Sequence, residues 1–436
     1  MDLDGRWSDA APTGVVVATR PADGAVFERA RVLAAIRQQV TTTRAAVARE
    51  TGLGRAVVQQ RLAELIAAGL VVEAGSEASS GGRPPKQIRF RPEVGYVLAA
   101  DLGATSIDIA ACDLLGEVLR HEAEAADIAA GPEAILGRVE AGFDRLAAAP
   151  EVAARALWGI GVGLPGPVEF GTGRPVSPPI MPGWDGYPVR ERLGDRYDVP
   201  VWVDNDVNVM ALGERAEGIA RDHDNVVFIK VGTGIGAGLI SHGRLHRGAQ
   251  GSAGDLGHIQ AVDDPTVRCR CGKTGCLEAV AGGAALARRA EAVAHAGASP
   301  VLAAARAERA AVTAVDVATA ASHGDLICIA MLQEASRLIG EAAAAIVNFF
   351  NPSLVVVGGG IANAGDLLLA GIREVVYARS LPLATRHLQI QRSSLGDRAG
   401  VVGAATMVLD ELFSPERLSR WIEAGSSAGM PELASV

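Results

Sequence analysis

Nowhere in these 436 residues do about 18 apolar side chains follow one another, so the sequence offers no helix able to cross a bilayer. The first residues, MDLDGRWSDAAPTG, are acidic and lack the basic-then-apolar order of a secretory leader. Membrane and secreted classes are excluded on this reading, and a cytoplasmic protein is expected. Cysteine is scarce: there are five, and three of them fall in the single stretch CRCGKTGC, residues 269–276. Disulfides are rare in a reducing cytosol, so thiols this crowded point to metal or redox chemistry. Positive charge is also in deficit, with 41 Lys and Arg against 50 Asp and Glu, a net charge of -9. That excludes a protein that coats nucleic acid along its whole length. The deficit is uneven. From Ala25 to Arg91 eleven basic residues face five acidic ones, +6, which leaves -15 for the remainder. Contact with nucleic acid, on this balance, belongs to the N-terminal part.

What the sequence does have is length for two or three domains with sizeable apolar cores. Residues 1–24 read as a disordered tail. From Val26 to Gln38 a helical stripe runs through Ala30, Leu33, Ala34 and Ile36. Thr43 is placed to N-cap a second, short helix that Gly52 stops. After the turn at Leu53 and Gly54 a third helix buries Val58, Leu62, Leu65 and Ile66, which leaves Arg55, Gln59, Gln60 and Arg61 on its outer part. This is a helix-turn-helix layout, and the following strand, tip and strand read as the wing of a winged helix spanning residues 25–91. In the tip, GGRPPK sets Arg83 and Lys86 on an extended strip that suits a minor groove, with Arg89 and Arg91 near phosphates. The plainer alternative is a small three-helix packing module without nucleic acid.

From Tyr96 the pattern changes to strand-like runs separated by glycine turns, as three consecutive antiparallel strands would give, and NVVFIKVGTGIGAGLISHGRLHRG repeats that arrangement. The turns DLGAT and GTGIGAG leave backbone N–H groups open to phosphate oxygens, and LVVVGGGI, after a buried strand, has room for an adenine and its ribose. VPVWVDNDVN is a buried strand that ends in Asn205 and Asp206 before a helix. A carboxylate placed there can take a proton from a sugar hydroxyl.

On DLGAT, GVGLPGPV, VDNDVN, VGTGIGAGLISHGRLHRGAQGSAGDLGH, CRCGKTGCLE and NPSLVVVGGGI the chain resembles the ROK family of repressors, open reading frames and kinases, from about Tyr96 to Leu412. The head resembles that of the family's repressors. The resemblance implies an α/β fold, a winged helix-turn-helix followed by two actin-like, ribonuclease-H-like lobes, here 96–215 and 216–412, with a C-terminal helix and tail at 413–436. It implies one structural zinc on His258, Cys269, Cys271 and Cys276, a donor set that satisfies a tetrahedral ion, with Gly272 and Gly275 bending the loop back. Cys112 and Cys328 remain as core residues. It also implies a sugar site of Asn205, Asp206, Asp255, His258 and Glu278, with Asp206 the catalytic base in a kinase. ATP and Mg would need Asp101, Gly103, Thr105, Thr233, Gly234 and Gly359.

Three departures bear on that last point. Ala104 and Ser106 alter the first turn, Ala237 replaces a glycine of the second, and Asp255 stands where a longer Glu is usual. Placement errors of about 1 Å cost roughly a hundredfold in rate, so sugar binding survives such changes better than phosphoryl transfer. The expectation is a sugar-responsive regulator of carbohydrate metabolism, a repressor that reads a palindromic DNA operator as a homodimer or dimer of dimers. The alternative is an active hexose kinase carrying a DNA-binding head.

Overall fold

The computed structural model describes residues 21–39, 41–76, 86–309, 311–363 and 366–435. It divides into two units. The first comprises Met1–Phe90 with Ser414–Glu423, and the second Arg91–Phe413 with Ala424–Val436.

In the first unit α1 (Pro21–Gln39), α2 (Arg44–Thr51) and α3 (Arg55–Ala67) pack around one core, with a three-stranded antiparallel sheet of β1 (Thr41–Thr43), β2 (Val71–Ser76) and β3 (Lys86–Phe90) in the order β1-β3-β2. Thr43 does cap α2, accepting from the Ala46 amide at 3.2 Å, and Gly52 stops it in the left-handed region at φ 66°. The core is Val32, Leu33, Ile36, Val47, Val58, Leu62, Leu65, Ile88 and Phe90. Two details differ from the sequence reading. Along α1 the buried stripe runs through Val32, Leu33, Ala35 and Ile36, and Ala34 faces out. Ile66, in the last turn of α3, is 36% exposed. The helix Pro415–Trp421 packs on α1 and buries Leu418 and Trp421 completely.

The second unit holds the duplication. β4 (Gly95–Leu102), β5 (Ser106–Asp113) and β6 (Val118–Ala125) form an antiparallel meander that β7 (Ala156–Leu164) extends in parallel beside β4. β8 (Val168–Glu169) and β9 (Arg174–Pro175) make a small hairpin, and β10 (Val201–Asn205) pairs in parallel with β7, giving the order β10-β7-β4-β5-β6. The second sheet repeats this. β11 (Val226–Val231), β12 (Ile235–Ser241) and β13 (Arg244–Leu245) are antiparallel, β14 (Leu354–Gly358) runs parallel to β11 and β15 (Gln389–Arg392) parallel to β14, in the order β13-β12-β11-β14-β15. β4 and β14, inside the two sheets, are buried along their whole length, as strands covered on both faces require. Cys112 and Cys328 are fully buried, as expected of core residues.

The lobe boundary needs one correction. The helix Ala399–Leu412 follows the second sheet in sequence but packs on β4, β7 and the helix Asp206–Ala216 of the first lobe. Gly161, Gly213 and Gly403 permit this, since a Cβ at any of them would overlap backbone of the facing segment. Among the described residues no single helix is long and apolar enough to cross a membrane.

Candidate functional site

β10 delivers Asn205 and Asp206 to the start of the helix Asp206–Ala216. Asn205 is its N-cap. The Asn205 Oδ1 accepts from the Val207 amide at 2.9 Å, and its Nδ2 donates to the Gly166 carbonyl at 2.9 Å. Behind it lies Asp204, 1% exposed, which accepts from the Asn205 amide at 2.7 Å, from Asn208 Nδ2 at 2.8 Å and from Arg247 Nε at 2.7 Å. The Arg247 guanidinium also lies 3.7 Å over the Phe170 ring. Asp204 and Arg247 were not picked out by sequence reasoning, yet they fix the backbone from which Asn205 projects.

Asp206 is 5% exposed and accepts from Lys230 Nζ at 2.6 Å. Lys230 enters from β11, and its stem passes under the second glycine turn, where a Cβ on Gly232 would sit 3.5 Å from Lys230 Cε. Burial pulls the Lys230 ammonium down, but Asp206 and Asp101 together outweigh it, and its pKa lies above the ordinary value. Asp101, at the end of β4, is 8% exposed with Oδ1 buried and lacking a hydrogen-bond partner. Burial pushes its carboxyl up to about 7, with Lys230 pulling the other way. Lys230 is the third residue that sequence reasoning missed, although a lysine inside VVFIKV was a visible signal.

The glycine turns form as expected. Gly103 N donates to Ser106 O at 2.9 Å in the first, and Gly232 N to Gly234 O at 3.0 Å in the second. Gly359 adopts φ 94° close against Val231, where a side chain would collide. Thr233, Gly234 and Glu278 share one concavity with Ile180, Arg268 and Arg288. Glu278 Oε2 accepts from the Ile235 amide at 3.1 Å.

The four zinc-ligand candidates converge. The ligand atoms of His258, Cys269, Cys271 and Cys276 lie within 4.8 Å of one another. His258 Nδ1 is 3.5 Å from Cys269 Sγ, and Cys271 Sγ is 3.7 Å from Cys276 Sγ. Ligands about 2.3 Å from a tetrahedral ion stand about 3.8 Å apart, so this group can hold a metal ion, and the sulfurs are not disulfide-bonded. Gly272 and Gly275 take φ 89° and 70°, the left-handed values that turn the loop back on itself. His258 Nε2 points the other way, 4.0 Å from the exposed Asp255 Oδ1.

On the head, Arg55, Gln59 and Gln60 are exposed on α3. Arg61 is not: it is 7% exposed and pairs with Glu64 at 2.8 Å and Glu28 at 3.7 Å, so it braces α3 against α1 instead of reaching outward. Lys86 is exposed and paired with Glu73, while Arg83 lies outside the described residues.

The ROK family pattern matches residues 97–411. The chain belongs to the ROK family. Over 386 residues this ROK protein is 31% identical to the xylose repressor of Caldicellulosiruptor bescii, covering 88% of this chain and 95% of that one. It is 32% identical over 322 residues to the glucokinase of Halalkalibacterium halodurans, covering 74% and 97%. Among solved structures, a ROK family transcriptional regulator, a homologue of E. coli Mlc, matches with a TM-score of 0.77 at 30% identity over 92% of this chain and 100% of that one. The Streptomyces griseus ROK glucokinase, in complex with glucose and AMPPNP, matches with a TM-score of 0.63 at 30% identity over 72% and 99%.

Proposed function

We propose that this ROK protein is a sugar-responsive, DNA-binding transcriptional repressor of carbohydrate metabolism. The observation that carries the reading is the union, in one chain, of a winged helix-turn-helix with Arg55, Gln59 and Gln60 on its exposed edge and a kinase-like body. Repressor and regulator relatives extend over 88% and 92% of the chain, whereas the two glucokinases cover 74% and 72%, which suits a head shared with the former. Within the body, Asn205, Asp206, Asp255, His258 and Glu278 hold the hydroxyls of the effector. The metal is zinc, in a site closed by four protein ligands, and it supplies structure alone by tying residues 258–276 together. His258 serves the zinc through Nδ1 and the sugar through Nε2. A single small head reads too few base pairs for specificity, so two chains read the half-sites of a palindrome.

The test selects binding duplexes from a random pool with the full-length protein and then follows their release by fluorescence anisotropy across a panel of neutral sugars. One sugar is expected to raise the melting temperature and weaken DNA binding at least tenfold. A protein that selects no duplex, or whose complex ignores every sugar that binds it, overturns the reading. ADP release in the same panel separates the repressor from an active kinase.

A further inference from the structure

Phosphoryl transfer needs a divalent cation with its nucleotide beside the acceptor carboxylate, and the residues of this cleft do not fit one. Three carboxylates, Asp101, Asp108 and Asp206, lie close enough to act on Lys230. Asp108 is answered by His121, whose Nε2 lies 3.3 Å away, and the ammonium of Lys230 acts on both of the others. Asp206 Oδ2 is already taken by Lys230 Nζ at 2.6 Å. The lysine cannot easily withdraw. Its ammonium donates to Asp206 at 2.6 Å, its side chain is 19% exposed, and its neighbours keep it charged. A metal ion brought to this place would meet a fixed like charge and lose Asp206 as a partner.

We propose that Lys230 is a built-in counter-cation, whose ammonium group fills the charge-balancing place beside Asp206 and Asp101 that a metal–nucleotide would need, so that this cleft reads an uncharged polyol alone. The Lys230–Asp206 pair then does different work from a lone Asp206. It presents a donor and an acceptor side by side, which suits a hydroxyl, and it carries no net charge to attract a phosphate. The proposal rests on the reading of the cleft as a sugar site and is independent of the head.

Zinc-replete, full-length protein tests it with Mn2+ followed by electron paramagnetic resonance and ADP followed by calorimetry. In the wild type, ADP affinity is expected to be the same with and without Mg2+, and Mn2+ to show weak, nucleotide-independent binding only. Lys230→Thr should tighten Mn2+ binding in the presence of ADP at least tenfold, and Lys230→Thr combined with Asp206→Asn should cancel that gain. Lys230→Arg keeps the charge and should behave as the wild type. ADP binding by the wild type that tightens tenfold with Mg2+ and loses the effect in Asp101→Asn overturns the proposal without recourse to a lysine variant. So does a folded Lys230→Thr protein that binds Mn2+ no better than the wild type. Sugar-dependent release of DNA is read separately, so either conclusion can fail while the other stands.

Discussion

At the scale of single residues, the ion pair of Asp206 and Lys230 changes what a substitution there reports. Asp206→Asn would be a clean test of a catalytic base only if the carboxylate stood alone. Here it leaves a buried ammonium without its anion, an error that costs about 3–5 kcal/mol. The ligand-free Asp206→Asn protein should unfold in urea correspondingly earlier, and adding Lys230→Met should restore much of the loss, because the double variant no longer buries the unpaired ammonium. Equal midpoints for wild type and Asp206→Asn would show that the pair is solvated. Asn205 and Asp206 stood out in the sequence as the polar end of a buried strand before a helix, a pattern that a helix N-cap also produces, and Asn205 does cap that helix. Lys230 was legible as a letter but not as a partner, since a strand pattern gives the face of a residue and not what approaches it from another strand. Asp204 and Arg247 were hidden for the same reason, being 43 positions apart in the chain. The cysteine cluster was readable through its local spacing. Its prediction is equally local: Cys271→Ala removes one of four donors, and metal analysis after dialysis should fall from one zinc per chain to well below one. Retention of one tightly bound zinc would exclude Cys271 as a ligand.

At the scale of elements, α3 shows how a correct helix can still be given the wrong face. Arg61 stands three residues after Val58 and four before Leu65, both fully buried, so it shares their side of the helix and turns inward to Glu28 and Glu64. Arg55, Gln59 and Gln60 lie on the other side and stay exposed. The two groups should separate by experiment. Arg55→Ala and Gln59→Ala are expected to weaken specific DNA binding by about 1–3 kcal/mol each while leaving the melting temperature of the free protein unchanged. Arg61→Ala should lower the stability of the head and reduce binding to specific and random duplexes alike. Loss of discrimination in Arg61→Ala with unchanged stability would return that residue to the DNA-facing set. The duplicated strand meanders were legible because each is local and marked by glycine turns. The placement of the helix Ala399–Leu412 on the first lobe was not, because it depends on small residues at Gly161, Gly213 and Gly403 that admit a close approach over a long sequence separation.

At the scale of the whole molecule, the chain passes between its two units three times, at Phe90–Arg91, Phe413–Ser414 and Glu423–Ala424. The head is therefore not an appendage on one linker. Ten residues from near the C-terminus complete its core, and the chain then returns to the body, where Ser427 Oγ donates to the Trp158 carbonyl at 2.6 Å and Gly429 N to the Asp198 carbonyl at 2.8 Å. The helix Ala399–Leu412, which packs on β4 behind Asp101, leads directly into that returning segment. A change of body conformation on sugar binding thus has two covalent routes to the head, and the second runs through Leu418 and Trp421. Trp421 is fully buried, so Trp421→Ala should cost the head about 3–5 kcal/mol. The body's own core contains neither residue, so the sugar-induced rise in its melting temperature should persist while DNA affinity falls. Two-wavelength unfolding, with limited proteolysis to report the head, measures both in one sample. If Trp421→Ala abolished the thermal response to sugar while leaving DNA binding intact, the ten-residue segment would belong energetically to the body, and the second route would not exist.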